Sequence, residues 1–407
     1  MSFTENRWLV VAGALIIQLC LGAIYSWSVF VNPLKDVFFY TTTQTQVVFS
    51  LALATFALTM IYAGRLQDRK GPRIVAVLGG IVLGTGYLLA SLTGGNFLLI
   101  ALTVGVIGGA GIGFAYVCPI AACVKWFPDK RGLVTGVAVA GFGAGAWLFA
   151  GVASSLIDAY GILAAFKYLG ILFMITVVTG AQLLRNPPEG WKPAGWESFT
   201  PQFKVISAED FVWREMIQRR QFWMLWTMFV SGAIAGLLVI GILKPYGLHS
   251  GLSPAAAANA VGILALFNGA GRIVWGMVSD RMGRKNAMIL MFLLQGMMMF
   301  MLIEMGSTEL TLSIAAAWVG FNFGGNLALF PATTADFFGT RNVGMNYALL
   351  FTAYGVAGIM GPILAGSVFD MTGSYLWAFI PSGVACFIAA GVALRLKPSH
   401  RVDQTGC

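Results

Sequence analysis

Charged side chains are scarce in this chain. Asp, Glu, Lys and Arg together make up 10% of the 407 residues, whereas hydrophobic residues make up 58%, and the mean hydropathy is +0.81. A water-soluble domain needs much more charge on its surface, so this composition excludes a soluble globular fold. It predicts a polytopic membrane protein that is embedded in the lipid bilayer.

Cysteine and histidine are also rare. The chain has two histidines, and its five cysteines lack the spacing of a metal site or a disulfide framework. The cysteines are Cys20, Cys118, Cys123, Cys386 and Cys407. We interpret them as packing residues and expect neither a metal nor a cofactor. Because no predicted helix pairs a nucleophile with a base, we also expect that the protein is not an enzyme.

Long apolar runs dominate the rest of the sequence. About twelve can be marked off, each near the ~20 residues that a membrane-spanning helix needs. Strands of a membrane barrel would be about half as long and would alternate in polarity. The runs are 8–30, 44–64, 74–92, 97–124, 133–156, 165–184, 221–243, 255–279, 286–303, 309–335, 344–369 and 375–394. The first has no small-residue cleavage site, so we expect a retained helix rather than a signal peptide.

The net charge of +9 is unevenly placed along the chain. If both termini and the central loop are counted, 21 of the 25 Lys and Arg residues fall on one predicted side of the membrane. The exceptions are Lys35, Lys167, Lys244 and Arg272. This asymmetry predicts cytoplasmic termini in a multi-pass protein of the cell membrane. It accounts for the charge without a nucleic-acid partner, and we expect a monomer.

An internal repeat relates the two halves at an offset of 212 residues. Five landmark pairs share this offset: Pro33 and Pro245, Gly64 and Gly276, Asp68 and Asp280, Pro119 and Pro331, Gly143 and Gly355. The repeat predicts two pseudo-symmetric six-helix bundles, over residues 1–184 and 221–407, with residues 185–220 as a cytoplasmic linker. In such duplicated carriers the substrate binds near the membrane midplane, between the halves.

Arg272 is the only charged residue deep inside an apolar run. Asp280, which ends that run, lies eight residues further on, so the arginine starts roughly 12 Å inside the helix end. A charge at that depth costs at least ~2.5 kcal/mol and therefore normally faces a cavity or a ligand. The alternative is a side chain that extends back towards the cytoplasm. With no carboxylate nearby in the sequence, the pattern favours an anion site.

Two loop motifs resemble the G-x-L-x-D-R-x-G-x-R signature of the major facilitator superfamily. One is GRLQDRKGPR at 64–73, and GMVSDRMGRK at 276–285 is its weaker echo. The glycines allow a tight turn between helices, and the aspartate can accept hydrogen bonds from an arginine or a helix N-terminus. We predict that the motif residues gate the carrier: Gly64, Asp68, Arg69, Gly71, Arg73, Asp280, Arg281 and Gly283.

Further stretches resemble the oxalate/formate antiporter branch of that superfamily and its monocarboxylate transporter relatives. They are YSW at 25–27, NPLKD at 32–36, WFPDKRG at 126–132, NPPEGWKPAGW at 186–196, QFW at 221–223 and FNGAGR at 267–272. Together they span nearly the whole chain, and the linker stretch is the most specific to the branch. The chain looks most like a bacterial monocarboxylate transporter homologue.

The resemblance implies that Arg272 binds a substrate carboxylate. Oxalate carriers of this branch have a second cation, a lysine in the eleventh helix, and Tyr354 stands at that position here. Two cations suit a dianion, whereas one arginine suits a small organic monoanion such as lactate, pyruvate or acetate. An exchanger of the oxalate/formate type is the alternative, and a channel or a sensor that does not transport is a more distant one.

The resemblance also implies which residues surround the substrate. Tyr116 and Tyr25 match tyrosines that contact substrate in oxalate carriers, and Phe323 and Phe351 stand where those carriers have tryptophans. Ordinary helix packing is the alternative for each of these aromatic residues. Animal monocarboxylate transporters have an aspartate where this chain has Asn268, which can bind substrate or orient the arginine but cannot titrate.

Proton coupling is what the family would imply. All sixteen acidic residues, however, fall in loops, tails or helix ends, and both histidines lie outside the apolar runs. A conventional carboxylate relay at the midplane is therefore unsupported by the sequence. We keep proton symport as a hypothesis in which the proton travels with the carboxylate of the substrate.

Overall fold

The computed structural model describes residues 6–40, 42–188, 191 and 210–397. Its regular elements there are helices. They are α1 Trp8–Gly22, a 3₁₀ turn Ala23–Ser26, α2 Ser28–Phe38, α3 Thr42–Lys70, α4 Pro72–Ala90, α5 Phe97–Ile100, a π-helical stretch Ala101–Gly108, α6 Gly109–Trp126, α7 Arg131–Tyr160, α8 Ile162–Ala181, α9 Trp213–Met216, α10 Arg220–His249, α11 Pro254–Met282, α12 Arg284–Met301, α13 Glu309–Phe338, α14 Val343–Thr372 and α15 Leu376–Leu394. The all-helical class predicted from the apolar runs is confirmed.

Eleven helical segments in the described part of the chain are long and apolar enough to cross a membrane. The first span combines α1 with the 3₁₀ turn, and the fourth combines α5, the π-helical stretch and α6. The one predicted run without such a span is 286–303, which corresponds to α12, and this helix packs against α13 and α15. Its first three residues are Arg284, Lys285 and Asn286, and these polar residues lower the mean hydropathy of an 18-residue helix.

Local sequence signals explain where several helices begin and end. Gly71 and Gly283 have φ angles of +86° and +85°, which few residues other than glycine adopt readily. They allow the sharp turns from α3 to α4 and from α11 to α12. Ser253 and Thr308 cap α11 and α13, because each side-chain oxygen accepts a hydrogen bond from the amide three residues later.

The helices fall into two groups by their packing. In the first group α1, α3, α4, α6, α7 and α8 contact one another, and in the second α10 to α15 do so. The main contacts between the groups are α7 with α11 and α3 with α14. We call these groups the first and second bundles. Of the predicted linker at 185–220, residues 189–190 and 192–209 lie outside the described part of the chain.

One end of the molecule carries the basic loops, and we call it the basic end. It comprises residues 64–73, 125–131 and 276–285. The bundles approach closely here: a methyl group added at Gly276 would collide with the backbone of Gly132, and one added at Gly64 would collide with the backbone of Gly344. These two contacts are related by the 212-residue offset. Glycine is needed at such positions because each contact involves the backbones of two helices.

Helices α7 and α11 separate towards the opposite end. Gly143 of α7 still lies against Gly269 of α11. Gly151 and Gly262 lie about two turns further along the same helix faces. A side chain added at either of them would meet nothing within 4 Å. The structure is therefore closed between α7 and α11 at the basic end and open at the other.

The aspartates of the two loop motifs form hydrogen bonds between the bundles at the basic end. Asp280 accepts hydrogen bonds from the second and third amides of α7, at 2.9 and 2.7 Å. Asp68 does the same with the second and third amides of α14, at 3.1 and 2.8 Å. Each carboxylate thus satisfies free N–H groups and interacts with the positive end of a helix in the other bundle.

The second bundle adds an ion network to this closure. Asp336 pairs with Arg131 across the bundles at 2.5 Å and with Arg284 within its own bundle at 2.7 Å. Arg284 also pairs with Asp280, at 2.7 Å. The partner of Asp280 is thus Arg284, whereas the motif residue Arg281 is exposed at the surface.

Two other motif arginines, Arg69 and Arg73, are likewise exposed. Among the described residues, neither they nor Arg281 forms an ion pair. The motif residues that contact the other bundle are therefore mainly the aspartates and glycines. The gating role predicted for the motif residues stays a prediction.

Replacing Asp280 by asparagine should loosen the basic end. The change removes a negative charge from the N-terminus of α7, an interaction worth about 0.3–2 kcal/mol. We expect hydrogen exchange of the first amides of α7 to rise about two- to tenfold. Asp36→Asn is the matched control, because Asp36 is an exposed carboxylate in α2. Equal exchange rates in both variants would contradict the assigned role of Asp280.

Candidate functional site

Arg272 lies in α11 where this helix is enclosed by its neighbours, and it is 0% exposed. Two glycines allow the close packing. The α7 backbone at Gly136 reaches the main chain of Arg272, and Gly324 of α13 lies against Asn268 and Arg272. A side chain on either glycine would push a helix away from α11. The arginine is therefore held at the contact between the two bundles, out of reach of solvent in this conformation.

The guanidinium makes two hydrogen bonds. Its Nε donates to Oδ1 of Asn268, one turn earlier in α11, at 3.0 Å. Its Nη1 donates to the backbone carbonyl of Val139 in α7, at 2.5 Å. Asn268 therefore orients the arginine in this conformation, which is one of the two roles predicted for it. The bond to Val139 joins the second bundle to the first.

Donors remain free on the guanidinium. An arginine has five N–H donors, and the two bonds of Arg272 leave one on Nη1 and both on Nη2. The Nη2 atom is buried and has no hydrogen-bond partner among the described residues. Nη1 and Nη2 together present the planar fork that donates to both oxygens of a carboxylate.

The surroundings of Arg272 do not neutralise its charge. Among the described residues, no carboxylate forms an ion pair with it. The groups that interact with it electrostatically are Tyr116, Tyr25 and Tyr347. The face of the Phe142 ring lies 5.8 Å away and contributes a cation–π interaction. The result is a buried cation among weakly polar groups, which is an arrangement suited to an anion.

Aromatic side chains enclose this cation from the first bundle. The ring of Tyr116 lies 5.0 Å from Phe56, 5.4 Å from Phe142 and 5.3 Å from Phe351 of the second bundle. Tyr25 packs edge-on against Phe142 at 5.0 Å. Such tilted and edge-to-face pairs are the favourable geometry for aromatic rings.

Aromatic residues of the second bundle continue the enclosure. Tyr354 stacks on Phe351 at 4.8 Å and on Phe323 at 6.4 Å, and Tyr347 lies 5.7 Å from Phe351. The hydroxyl of Tyr354 is hydrogen-bonded to the hydroxyl of Tyr25, which bridges the bundles a second time. The structure thus brings together all seven residues that the sequence analysis predicted around the substrate.

Helix irregularities position the two tyrosines of the first bundle. Tyr25 lies in the 3₁₀ turn that interrupts the first span. Tyr116 precedes Pro119, which interrupts the hydrogen bonding inside α6. The side chain of Gln18 in α1 donates to the backbone carbonyl of Tyr116 at 3.2 Å. These features fix α1 and α6 to each other next to Arg272.

Four groups of this site, Phe56, Val139, Phe142 and Tyr347, were not predicted from the sequence, yet the repeat could have indicated the first three. Each of these three lies 212 residues before a residue that was predicted. The pairs are Phe56 and Asn268, Val139 and Phe351, Phe142 and Tyr354. The counterpart of Arg272 itself is Met60, so the repeat preserves the position and changes the chemistry.

Comparisons with known proteins agree with this architecture. The family profile of the Major Facilitator Superfamily matches residues 14–308 and 235–406. The chain is 32% identical to the oxalate:formate antiporter of Oxalobacter formigenes, over 97% of this chain and 92% of that protein. It is 25% identical to monocarboxylate transporter 12 of Mus musculus, over 98% of this chain and 87% of that protein.

Solved structures resemble the fold over nearly its full length. A crystal structure of the transporter FucP in the outward conformation superposes with a TM-score of 0.70 at 14% identity, covering 95% of this chain and 98% of that one. The proton:xylose symporter XylE bound to 6-bromo-6-deoxy-D-glucose gives a TM-score of 0.71 at 14% identity, covering 97% and 96%. With two bundles of membrane-length helices and a family match that covers nearly the whole sequence, this chain belongs to the Major Facilitator Superfamily.

Proposed function

We propose that this protein is an alternating-access carrier of small organic monoanions, with lactate, pyruvate and acetate as the model substrates. The observation that carries the proposal is the buried fork of Arg272, which has free donors and no carboxylate partner among the described residues. A substrate carboxylate would accept two charge-assisted hydrogen bonds from this fork. In the described part of the chain, the groups around Arg272 are not arranged for bond-breaking chemistry, so we propose a carrier rather than an enzyme.

The size and charge of the site favour a monocarboxylate. One guanidinium balances one carboxylate, and the position of the second cation in oxalate carriers is occupied by Tyr354, which is stacked between aromatic rings. Phe351 and Phe323 would pack against a short organic tail. We propose that Tyr116 and Tyr25 complete the site from the first bundle, with Asn268 orienting the arginine.

The bond between Arg272 and Val139 suggests how the empty carrier closes. The Val139 carbonyl and the Phe142 ring stabilise the guanidinium across the bundle contact. A bound carboxylate would replace part of this stabilisation. The carrier could then close around the arginine both with and without substrate. A ligand shifts such an equilibrium only by its different affinity for the two states. We propose that this balance lets the carrier return empty.

The orientation follows from the charge distribution. We propose that the basic end faces the cytoplasm, in accordance with the excess of Lys and Arg in its loops. Since α7 and α11 separate at the opposite end while Arg272 stays buried, the conformation described here would be occluded at the substrate site and would widen towards the outside. Residues 1–184 and 221–407 would rock against each other as two units joined by residues 185–220, in a monomer.

Exchange of oxalate for formate is the second candidate function. It is favoured by the 32% identity with the oxalate:formate antiporter over nearly the whole chain. The two proposals differ in the charge of the substrate and in whether the carrier can change its orientation, from one side of the membrane to the other, without bound substrate. An obligate exchanger would take up labelled substrate only into vesicles that are loaded with a counter-substrate.

Replacing Arg272 by glutamine should abolish uptake. The variant loses both charge-assisted hydrogen bonds, each worth about 1.5–3 kcal/mol, so we expect labelled lactate uptake into proteoliposomes to fall at least a hundredfold. Arg395→Gln is the matched control, since it removes one positive charge from an exposed position after α15. Saturable uptake near the wild-type rate in Arg272→Gln would refute the proposed site.

Replacing Tyr354 by lysine should change the preference for charge. A second cation beside Arg272 would favour a dianion, so we expect inhibition of uptake by oxalate to strengthen at least tenfold relative to inhibition by acetate. Tyr354→Phe, which keeps the aromatic ring, controls for loss of the hydroxyl. If the wild-type protein already prefers oxalate and the lysine changes little, the exchanger is the better proposal.

Proton coupling can be tested by an imposed pH step. If the proton travels with the substrate, uptake should increase about tenfold per unit of inward pH gradient at low substrate concentration, because the protonated fraction changes by that factor. The membrane potential is clamped with valinomycin and potassium. If uptake does not depend on the pH gradient while the membrane potential is clamped, proton symport is rejected, and uniport or exchange is the better proposal.

A further inference from the structure

A cavity of about 230 Å³ lies at the basic end, where it is separate from Arg272. It opens between the end of α3 in the first bundle and the region around α9 and the start of α14 in the second. Its polar and aromatic lining consists of Arg65, Asp68, Arg69, Trp213, Arg214 and Asn342. The cavity therefore exists because the two bundles meet at this end.

The lining carries an excess of positive charge. Arg65 and Arg69 are four residues apart in α3 and share a helix face, and Arg214 approaches from α9. No ion pair is formed by any of the three arginines among the described residues. Asp68 lies in the same cavity, but its carboxylate already binds two amides of α14 and the side chain of Gln67.

Arg214 is partly ordered in advance of any ligand. Its guanidinium carbon lies 5.3 Å from the centre of the Trp213 ring, within the range of a cation–π interaction. Stacking on an aromatic ring restricts the rotamers of a long side chain, so less entropy is lost when the guanidinium binds a ligand. The planar fork then matches an oxyanion with several acceptor oxygens.

Closure of the basic end brings like charges together. Arg65 and Arg69 belong to the first bundle, and Arg214 lies in α9, which packs on α14 of the second bundle, so their mutual repulsion opposes the contact that the aspartates of the loop motifs stabilise. An anion between them would replace this repulsion with attraction to both bundles. Three guanidinium groups suit a phosphate, which carries up to two charges, better than a single carboxylate.

We propose that this cavity binds a phosphate-bearing anion that bridges the two bundles and stabilises the state closed at the basic end. Two sources supply this chemistry: the headgroup of an anionic phospholipid at the membrane surface, and a soluble phosphate compound. In either case the bound ligand opposes separation of the two bundles at the basic end. This role does not depend on which substrate Arg272 binds.

Hydrogen exchange of the whole protein in nanodiscs tests the proposal. The readout is the exchange rate of the first amides of α7 and α14, which the closed end protects. In phosphatidylcholine nanodiscs, inorganic pyrophosphate is added at constant ionic strength. In a second arm, phosphatidylglycerol replaces a fifth of the lipid. By mass action, a ligand at ten times its Kd favours the closed state about elevenfold, so exchange should slow by up to that factor.

Charge-removing variants locate the effect. Arg69→Gln and Arg214→Gln should each weaken the slowing at least fivefold, whereas Arg395→Gln, outside the cavity, should keep it. Slowing by pyrophosphate alone identifies a soluble ligand, and slowing by phosphatidylglycerol alone identifies a lipid headgroup. No slowing in either arm overturns the proposal, as does slowing that persists unchanged in both cavity variants. Exposed positions are substituted, and size-exclusion chromatography confirms that each variant is folded.

Discussion

The buried charge of Arg272 is the constraint on which the centre of this structure depends. This guanidinium has no carboxylate partner among the described residues, and it donates to two neutral acceptors, Asn268 in its own helix and the Val139 carbonyl of the other bundle, while its remaining donors stay free. A backbone carbonyl can serve as acceptor only because Gly136 lets α7 approach α11 so closely. The aromatic rings around the site fill the remaining volume without neutralising the charge. The same arrangement that makes the site attractive to an anion thus also joins the bundles.

Glycine determines where the two bundles can touch. Backbone contact between Gly132 and Gly276 has an exact counterpart in Gly344 and Gly64, and the aspartates of the loop motifs bind the adjoining helix N-termini. Side chains would hold these helices apart, and the amides would then be out of reach of the carboxylates. The close approach of the backbones and the aspartate hydrogen bonds therefore depend on each other, and this combination occurs at both contacts.

The two halves of the repeat share the glycine contacts and the aspartates at the basic end, but they differ in the charged residues that they carry elsewhere. Arg272 has Met60 as its counterpart, and the network residues Arg284 and Asp336 have Pro72 and Val124. The second bundle therefore carries the buried cation and the larger ion network, whereas the first contributes a carbonyl and aromatic rings. Among the described residues of the site, Arg272 is the cation, so one wall of the site is charged and the other is weakly polar. The proposed substrate, with a carboxylate at one end and a small organic tail at the other, matches these two walls.

Much of this molecule could be predicted from the sequence, because membrane-length apolar runs and a repeated offset depend on local composition. The helices, the two glycine turns and the depth of Arg272 follow from such patterns, and family resemblance added the aromatic residues around it. Tertiary structure alone decided which groups meet. The acceptor at Val139 is a backbone atom that no side-chain pattern marks, and Asp280 pairs with Arg284 rather than with the neighbouring Arg281 because helix direction selects which side chain faces it. Contacts between distant helices depend on how closely their backbones approach, and only the packed bundles fix that distance.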